Sequence, residues 1–95
     1  MSKQSAANWY AYFVRCADGS LYGGITTDLT RRIKEHNHSN SLGAKYTRVR
    51  RPVSLAYAEH CDDRSAASKR EYHLKKLSKK AKEQLVSTFV EIPSK

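Results

Sequence analysis

The chain predicts an α+β domain: a small three-stranded antiparallel sheet flanked by helices, in the order β-β-α-β-α-α. Three observations lead there. The run "WYAYFVRC", residues 9–16, is apolar or aromatic at nearly every position, which suits a strand covered on both faces. The turn signal Ala17-Asp18-Gly19-Ser20 separates it from a second short apolar run, as in a hairpin. Beyond Thr27, apolar residues recur at helical spacing on either side of one further strand-like segment.

Residues 1–8, "MSKQSAAN", are polar and predict a disordered tail; residues 9–95 fit a single domain, near the lower size at which one core suffices. The run 9–16 is the expected central strand and "SLYGGI" the return strand, with Asp18-Gly19 the strongest turn pair. Gly23 and Gly24 are poor strand formers and point to a close approach to the backbone. Asp28 can cap a helix in which Leu29 and Ile33 repeat at i, i+4, and Asn37 is its expected end. Residues 38–52 form a long connection broken by Gly43 and Pro52. "VSLAYAE" is the third strand, with Val53, Leu55 and Tyr57 on one face. Asp62 or Asp63 opens a second helix running to about Leu77, and Ser78 restarts a third with Ala81, Leu85 and Phe89 in register.

Charge narrows the function. The chain carries 18 Lys and Arg against 9 Asp and Glu, a net of +9, and residues 45–82 alone hold +8 of it. A basic face of that density attracts polyanions by counterion release, and nucleic acid is the natural polyanion for a small protein. A solvated basic face and an anionic membrane are the alternatives that charge alone leaves open. Cys16 and Cys61 could form at most one bridge, and with no secretory apolar run they are expected to be reduced in a cytoplasmic protein that does not enter a membrane.

Several polar residues border the expected core. On the first helix Arg32 and His36 lie i, i+4 from each other beside the Leu29/Ile33 stripe. On the second, Glu71 falls in line with Ala67 and Leu74, an acid among apolar residues on a helix otherwise rich in Lys and Arg. A carboxylate so placed is either ion-paired or functional.

The tripeptides "YAY" (Tyr10 to Tyr12) and "YGG" (Tyr22 to Gly24), the run "LYGGITTDLTRRIKEHN", then "GAKYTRVRRP" and "DRSAASKREYHLKKLSK" resemble the small stand-alone bacterial branch of the GIY-YIG nuclease superfamily. The resemblance covers about residues 9–85. It implies that Tyr12, Tyr22, Arg32, His36 and Glu71 line one catalytic pocket, with Glu71 the metal ligand. Tyr10, Gly23 and Ile25 depart from the family pattern, and no Asn follows Glu71.

What the resemblance implies is a divalent-metal-dependent endonuclease, using Mg²⁺ or Mn²⁺, that hydrolyses phosphodiester bonds in DNA during repair or processing. Glu71 would hold the ion among water oxygens, and Arg32 would neutralise the phosphate. Tyr12 would activate water, which requires nearby positive charge to lower a phenol pKa of about 10; His36 or Tyr22 would orient the reactants. Around Tyr46, whose ring can stack on a base, Lys45, Arg48, Arg50 and Arg51 would grip phosphate, and Lys75, Lys76, Lys79, Lys80 and Lys82 would track the backbone. A chain of 95 residues leaves no room for an appended specificity domain, so target choice would come from a protein partner or from DNA structure. The alternative is a nucleic-acid-binding module of the same fold with little or no cleavage, and a third reading is a structural partner whose basic face docks an acidic protein.

Overall fold

The computed structural model describes residues 8–89. The proposed tail lies outside the described residues except for Asn8, whose side-chain oxygen bonds His60 at 3.0 Å. Strands β1 (Trp9–Arg15), β2 (Leu21–Thr26) and β3 (Ser54–Cys61) form one antiparallel sheet in the order β2-β1-β3. Helices α1 (Leu29–His38), α2 (Lys45–Arg48), α3 (Arg64–Lys76) and α4 (Lys79–Thr88) complete the chain. The expected α+β architecture is therefore the one observed, with one added helical turn, α2, inside the connection expected to be irregular.

The all-apolar run takes the centre of the sheet because both its faces are needed. Ala11 and Phe13 enter one core with Ala67 and Leu74 of α3 and with Leu85 and Val86 of α4. Tyr12, Val14 and Cys16 enter a second core on the opposite face, against Leu29 and Ile33 of α1. Burying a Phe or Val side chain contributes roughly 1.5–3 kcal/mol each, so a strand that does so on both sides anchors the domain. The two cysteines fall in different cores, on opposite faces of the sheet, and both are free thiols.

Local signals set the boundaries. Asp18 accepts from the amide and hydroxyl of Ser20, and Gly19 takes φ +86, the left-handed conformation that favours glycine. Asp28, Asp63 and Ser78 each cap a helix by accepting from a backbone N–H three residues on. Bidentate pairing of Arg15 with Glu83, at 2.5 and 2.7 Å, ties α4 to the end of β1.

Two expectations are corrected. A bulge in β3 at Ala56, opposite the step from Phe13 to Val14, breaks the alternation, so Val53 and Leu55 face α1 while Tyr57 turns to the α3/α4 side. Asn37 does not close α1 in a left-handed conformation, since the helix runs on to His38 and among the described residues only Gly19 has positive φ. Its side-chain amide instead brackets Val53, donating to the carbonyl at 2.9 Å and accepting from the N–H at 2.7 Å.

The paired glycines do different work. Gly24 lies opposite Tyr12, and a Cβ there would fall 2.5 Å from the Tyr12 hydroxyl oxygen; at Gly23 it would meet the Phe13 ring at 3.2 Å. The phenol is buried and hydrogen-bonded, so it has nowhere to move. Gly24→Ala is accordingly expected to destabilise the fold by about 1–3 kcal/mol and Gly23→Ala by clearly less, compared by denaturant melts; equal losses would mean that the Tyr12 ring does not lie against Gly24.

Candidate functional site

The α1 face of the sheet assembles a polar cluster. Tyr12 extends from β1 with 1 % of its surface exposed, and its hydroxyl lies 2.9 Å from Nε2 of His36. His36 is fully buried, because positions 29, 33 and 36 form one continuous i, i+4, i+7 stripe along α1 and the third member of that stripe is the imidazole. Sequence spacing had placed it beside the stripe rather than in it. Its other ring nitrogen, Nδ1, lies 2.9 Å from the Thr47 hydroxyl, so both nitrogens are engaged.

Burial, together with the positive charges of Arg32 and Arg51 and against the pull of Glu35, lowers the His36 pKa to about 4. Burial also raises the Tyr12 phenol above its ordinary value of 10, with Arg32 the main opposing influence. The nearby cation therefore reduces the rise without producing the lowered phenol pKa expected from the sequence. With the phenol raised above 10 beside an imidazole near 4, the resting pair is neutral, and a single hydrogen bond joins the Tyr12 oxygen to Nε2.

Arg32, one turn before His36, is held by Glu35 at 2.8 Å and the Leu42 carbonyl at 2.6 Å. Tyr22, cross-strand neighbour of Val14, meets the His36 ring edge-on with centroids 5.7 Å apart and stacks on Tyr46 at 5.5 Å. Tyr12, Tyr22, Arg32 and His36 thus share one face of the sheet.

Glu71 arrives differently. Helix α3 packs on the opposite face of the sheet, with Ala67 and Leu74 in that core, and touches the edge strand β2 through Lys75. Glu71 pairs with Lys75 one turn on, at 3.1 Å; the Lys75 stem passes within 3.5 Å of where a Gly23 Cβ would be, and its ammonium lies 5.7 Å from the Tyr22 ring centre. The Glu71 charge is felt at the Tyr12 phenol, which it pushes up. Among the described residues no group of three or more His, Cys, Asp or Glu could hold a metal ion. A lone, part-exposed carboxylate has the donor chemistry of a hydrated Mg²⁺ or Mn²⁺ site and not of a closed protein cage, but here Lys75 pairs with it and would have to give way to an ion.

The basic connection is engaged largely with the protein itself. Arg51 donates to the carbonyls of His36 at 2.6 Å and Ser39 at 2.9 Å, closing the end of α1. Arg50 pairs with Asp18 at 3.1 Å and lies 3.8 Å above the Tyr46 ring, and Arg48 donates to the Asn40 carbonyl at 2.6 Å. Tyr46 donates to Ser20 at 2.9 Å. Lys45, Lys75, Lys76, Lys79 and Lys80 are exposed. Nothing in the sequence spacing marks Thr47 or Asn37, whose polar contacts fix this region; the signal that bears on Thr47 is its place between the cations of "KYTRVRR" as a short residue able to turn inward.

A histidine kept neutral by the fold has a definite effect on stability. Its folded pKa, about 4, lies below the unfolded value of 6.5, so the folded state resists protonation. The contribution is fully present above pH 6.5 and is lost as the pH falls to about 4, of the order of 3 kcal/mol in all. Denaturant melts of wild type and His36→Gln between pH 7 and 4 should converge by that amount; parallel curves would show that His36 is not held neutral.

Known proteins place the chain in a family. A family model described as the GIY-YIG catalytic domain matches residues 8–84. UPF0213 protein DP2720 of Desulfotalea psychrophila is 62% identical over 82% of this chain and 70% of its own length. UPF0213 protein SSP2268 of Staphylococcus saprophyticus is 51% identical over 82% of this chain and 93% of its own. The solution structure of UPF0213 protein BH0048 from Bacillus halodurans, 48% identical, covers 84% of this chain and 83% of its own, with a TM-score of 0.53. That of protein EF2693 from E. faecalis, 40% identical, covers 100% and 98%, with a TM-score of 0.55. The chain belongs to the GIY-YIG catalytic domain family, within the GIY-YIG nuclease superfamily.

Proposed function

We propose that this protein is a divalent-metal-dependent endonuclease that hydrolyses phosphodiester bonds in DNA, in repair or processing. The observation that carries the reading is the Tyr12 hydroxyl bonded to a fully buried, neutral His36, with Arg32 beside it, in a GIY-YIG domain.

Hydrolysis needs an activated water, neutralisation of charge gathering on the phosphate, and an outlet for a proton. Tyr12 is in position to pass its proton to His36 Nε2 as it takes one from water, so the burden of holding a proton falls on the imidazole. At rest that transfer is unfavourable; positive charge near the phenol is what shifts it. Arg32 supplies part of that charge permanently and is suited to donate to the phosphate oxygens. Tyr22 closes the side of the imidazole and presents its ring at the site's edge. Glu71 would hold Mg²⁺ or Mn²⁺, which when bound supplies positive charge to the scissile phosphate. Affinity would come from Lys45, Tyr46 and Arg48 on the connection and from Lys75, Lys76, Lys79 and Lys80 on α3 and α4. Arg50 and Arg51 hold the connection in shape as well as contributing charge. A protein partner or the DNA's own structure would select the target.

The second reading, a nucleic-acid-binding module of the same fold, is favoured by one specific contact, the Glu71–Lys75 pair, which leaves the carboxylate neutralised without any metal.

Glu71→Gln separates the two. The nuclease reading expects cleavage of single-stranded, duplex or branched DNA in Mg²⁺ or Mn²⁺ to fall by at least about 100-fold, while DNA binding, steeply salt-dependent, is kept or strengthened as a negative charge leaves a basic surface. Cleavage that persists at the wild-type rate per folded molecule would reject Glu71 as the metal ligand. Salt-dependent binding with no wild-type cleavage in either ion would favour the binding module.

A further inference from the structure

Thr47 sits in the middle of α2, the single helical turn between Gly43 and Pro52, and its side chain is fully buried while Tyr46 before it is exposed and Arg48 after it half-buried. The turn is also held by contacts that do not involve the threonine side chain. Arg50 N–H donates to the Thr47 carbonyl at 3.0 Å, and Ala17 N–H, from the hairpin turn, donates to the Arg50 carbonyl at 2.9 Å. Gly43 lets the chain pass the end of α1 at a distance no side chain would permit, since a Cβ there would lie 2.7 Å from the carbonyl oxygens of Glu35 and Ser39.

The Thr47 hydroxyl has two partners within hydrogen-bond distance, the Ala44 carbonyl at 3.0 Å and His36 Nδ1 at 2.9 Å. The hydroxyl donates to the Ala44 carbonyl, whose oxygen also takes the Arg48 N–H at 3.0 Å on its other lone pair, and with its single proton so used the threonine oxygen is left to accept from His36. Nδ1 must then carry the imidazole's proton, and the Nε2 lone pair points at Tyr12, 2.9 Å away. The opposite tautomer would set Nε2–H against the phenol oxygen. The Tyr12 proton would then lose the one acceptor it has among the described residues.

We propose that Thr47 is a positioning residue: its hydroxyl, fixed by the Ala44 carbonyl, locks His36 as the Nδ1–H tautomer and so keeps Nε2 open to receive the Tyr12 proton. The consequence for cutting rests on the nuclease reading; the tautomer does not. In the proposed step a proton moves from water to the Tyr12 oxygen, the phenol proton moves to Nε2, and the hydroxide attacks phosphorus as the P–O bond to the leaving alkoxide breaks; solvent protonates that alkoxide, and the imidazolium later returns its proton to solvent. The imidazolium so formed still donates through Nδ1 to Thr47.

The test is long-range ¹H–¹⁵N correlation NMR of the histidines in the full chain at pH 7, for wild type, Thr47→Val and Thr47→Ser. Wild type and Thr47→Ser should show His36 protonated on Nδ1, and Thr47→Val should show it on Nε2 or divided between both. An Nε2–H signal in wild type would overturn the proposal even if no variant folds, and so would an unchanged Nδ1–H signal in Thr47→Val. On DNA with Mg²⁺, kcat should drop by about tenfold or more in Thr47→Val with KM unchanged, and be restored in Thr47→Ser. A tautomer that follows the hydroxyl in a protein whose wild type does not cut supports the role of Thr47 and rejects the nuclease reading. Wild-type cutting that Thr47→Val leaves unimpaired overturns the role in catalysis.

Discussion

The hydrogen bond between the Tyr12 hydroxyl and His36 Nε2 ties the central strand to the first helix through the interior, and much of the domain is arranged so that this bond can exist. A buried polar pair is tolerated only when every donor and acceptor in it is satisfied. Here the phenol gives to Nε2, Nδ1 reaches Thr47, and Thr47 gives to Ala44. Among the described residues no buried side-chain nitrogen or oxygen lacks a partner. Each link makes a demand elsewhere. Strand β2 must be bare at Gly24 to admit the phenol, and α1 must start at Asp28 to bring residue 36 under the sheet. The connection must fold back to deliver Thr47. Arg51 and Asn37 meet that last demand, fastening the connection to the end of α1 and to the start of β3.

The division of labour between the two faces of the sheet follows. Face one, against α3 and α4, is conventional packing of Ala11, Phe13, Ala67 and Leu74. Face two, against α1, carries the polar cluster. Because β2 is an edge strand and Gly23 has no side chain, the Lys75 stem can lie over that edge, bringing its ammonium near Tyr22 with Glu71 paired to it. The lysine stem lies over the gap that Gly23 leaves. The same edge brings an ammonium to the rim of the site at Tyr22.

Much of this was legible in the residues. The central strand announced itself by being apolar on both faces, the hairpin by Asp18-Gly19, and three helices by their capping side chains, because these are short-range effects that depend on a few neighbouring residues. His36 belonged to the Leu29/Ile33 stripe by simple i+7 spacing, although a titratable residue is not ordinarily counted as part of a buried stripe. What was hidden depends on contacts distant in sequence. The bulge at Ala56 that turns Tyr57 away from Val53 and Leu55 arises from pairing with β1. The grip of Asn37 on Val53 joins residues 16 apart, and the inward turn of Thr47 is set by Gly43, Arg50 and Ala17. A run of cations around Tyr46 suggested a phosphate grip, whereas the arginines there first satisfy carbonyls and Asp18. Positive charge in a sequence does not say how much of it the fold itself consumes.

The central claim is that the Tyr12 hydroxyl takes part in bond cleavage and is not merely a satisfied core group. Single-turnover cleavage of DNA by Tyr12→Phe, with melting temperature and DNA affinity measured on the same samples, tests it most directly. The account predicts a protein that still folds and binds DNA like wild type but cuts at least about 100-fold more slowly, the size expected for loss of a proton-transferring group. A Tyr12→Phe protein that cuts at the wild-type rate, whatever its melting temperature, would contradict it.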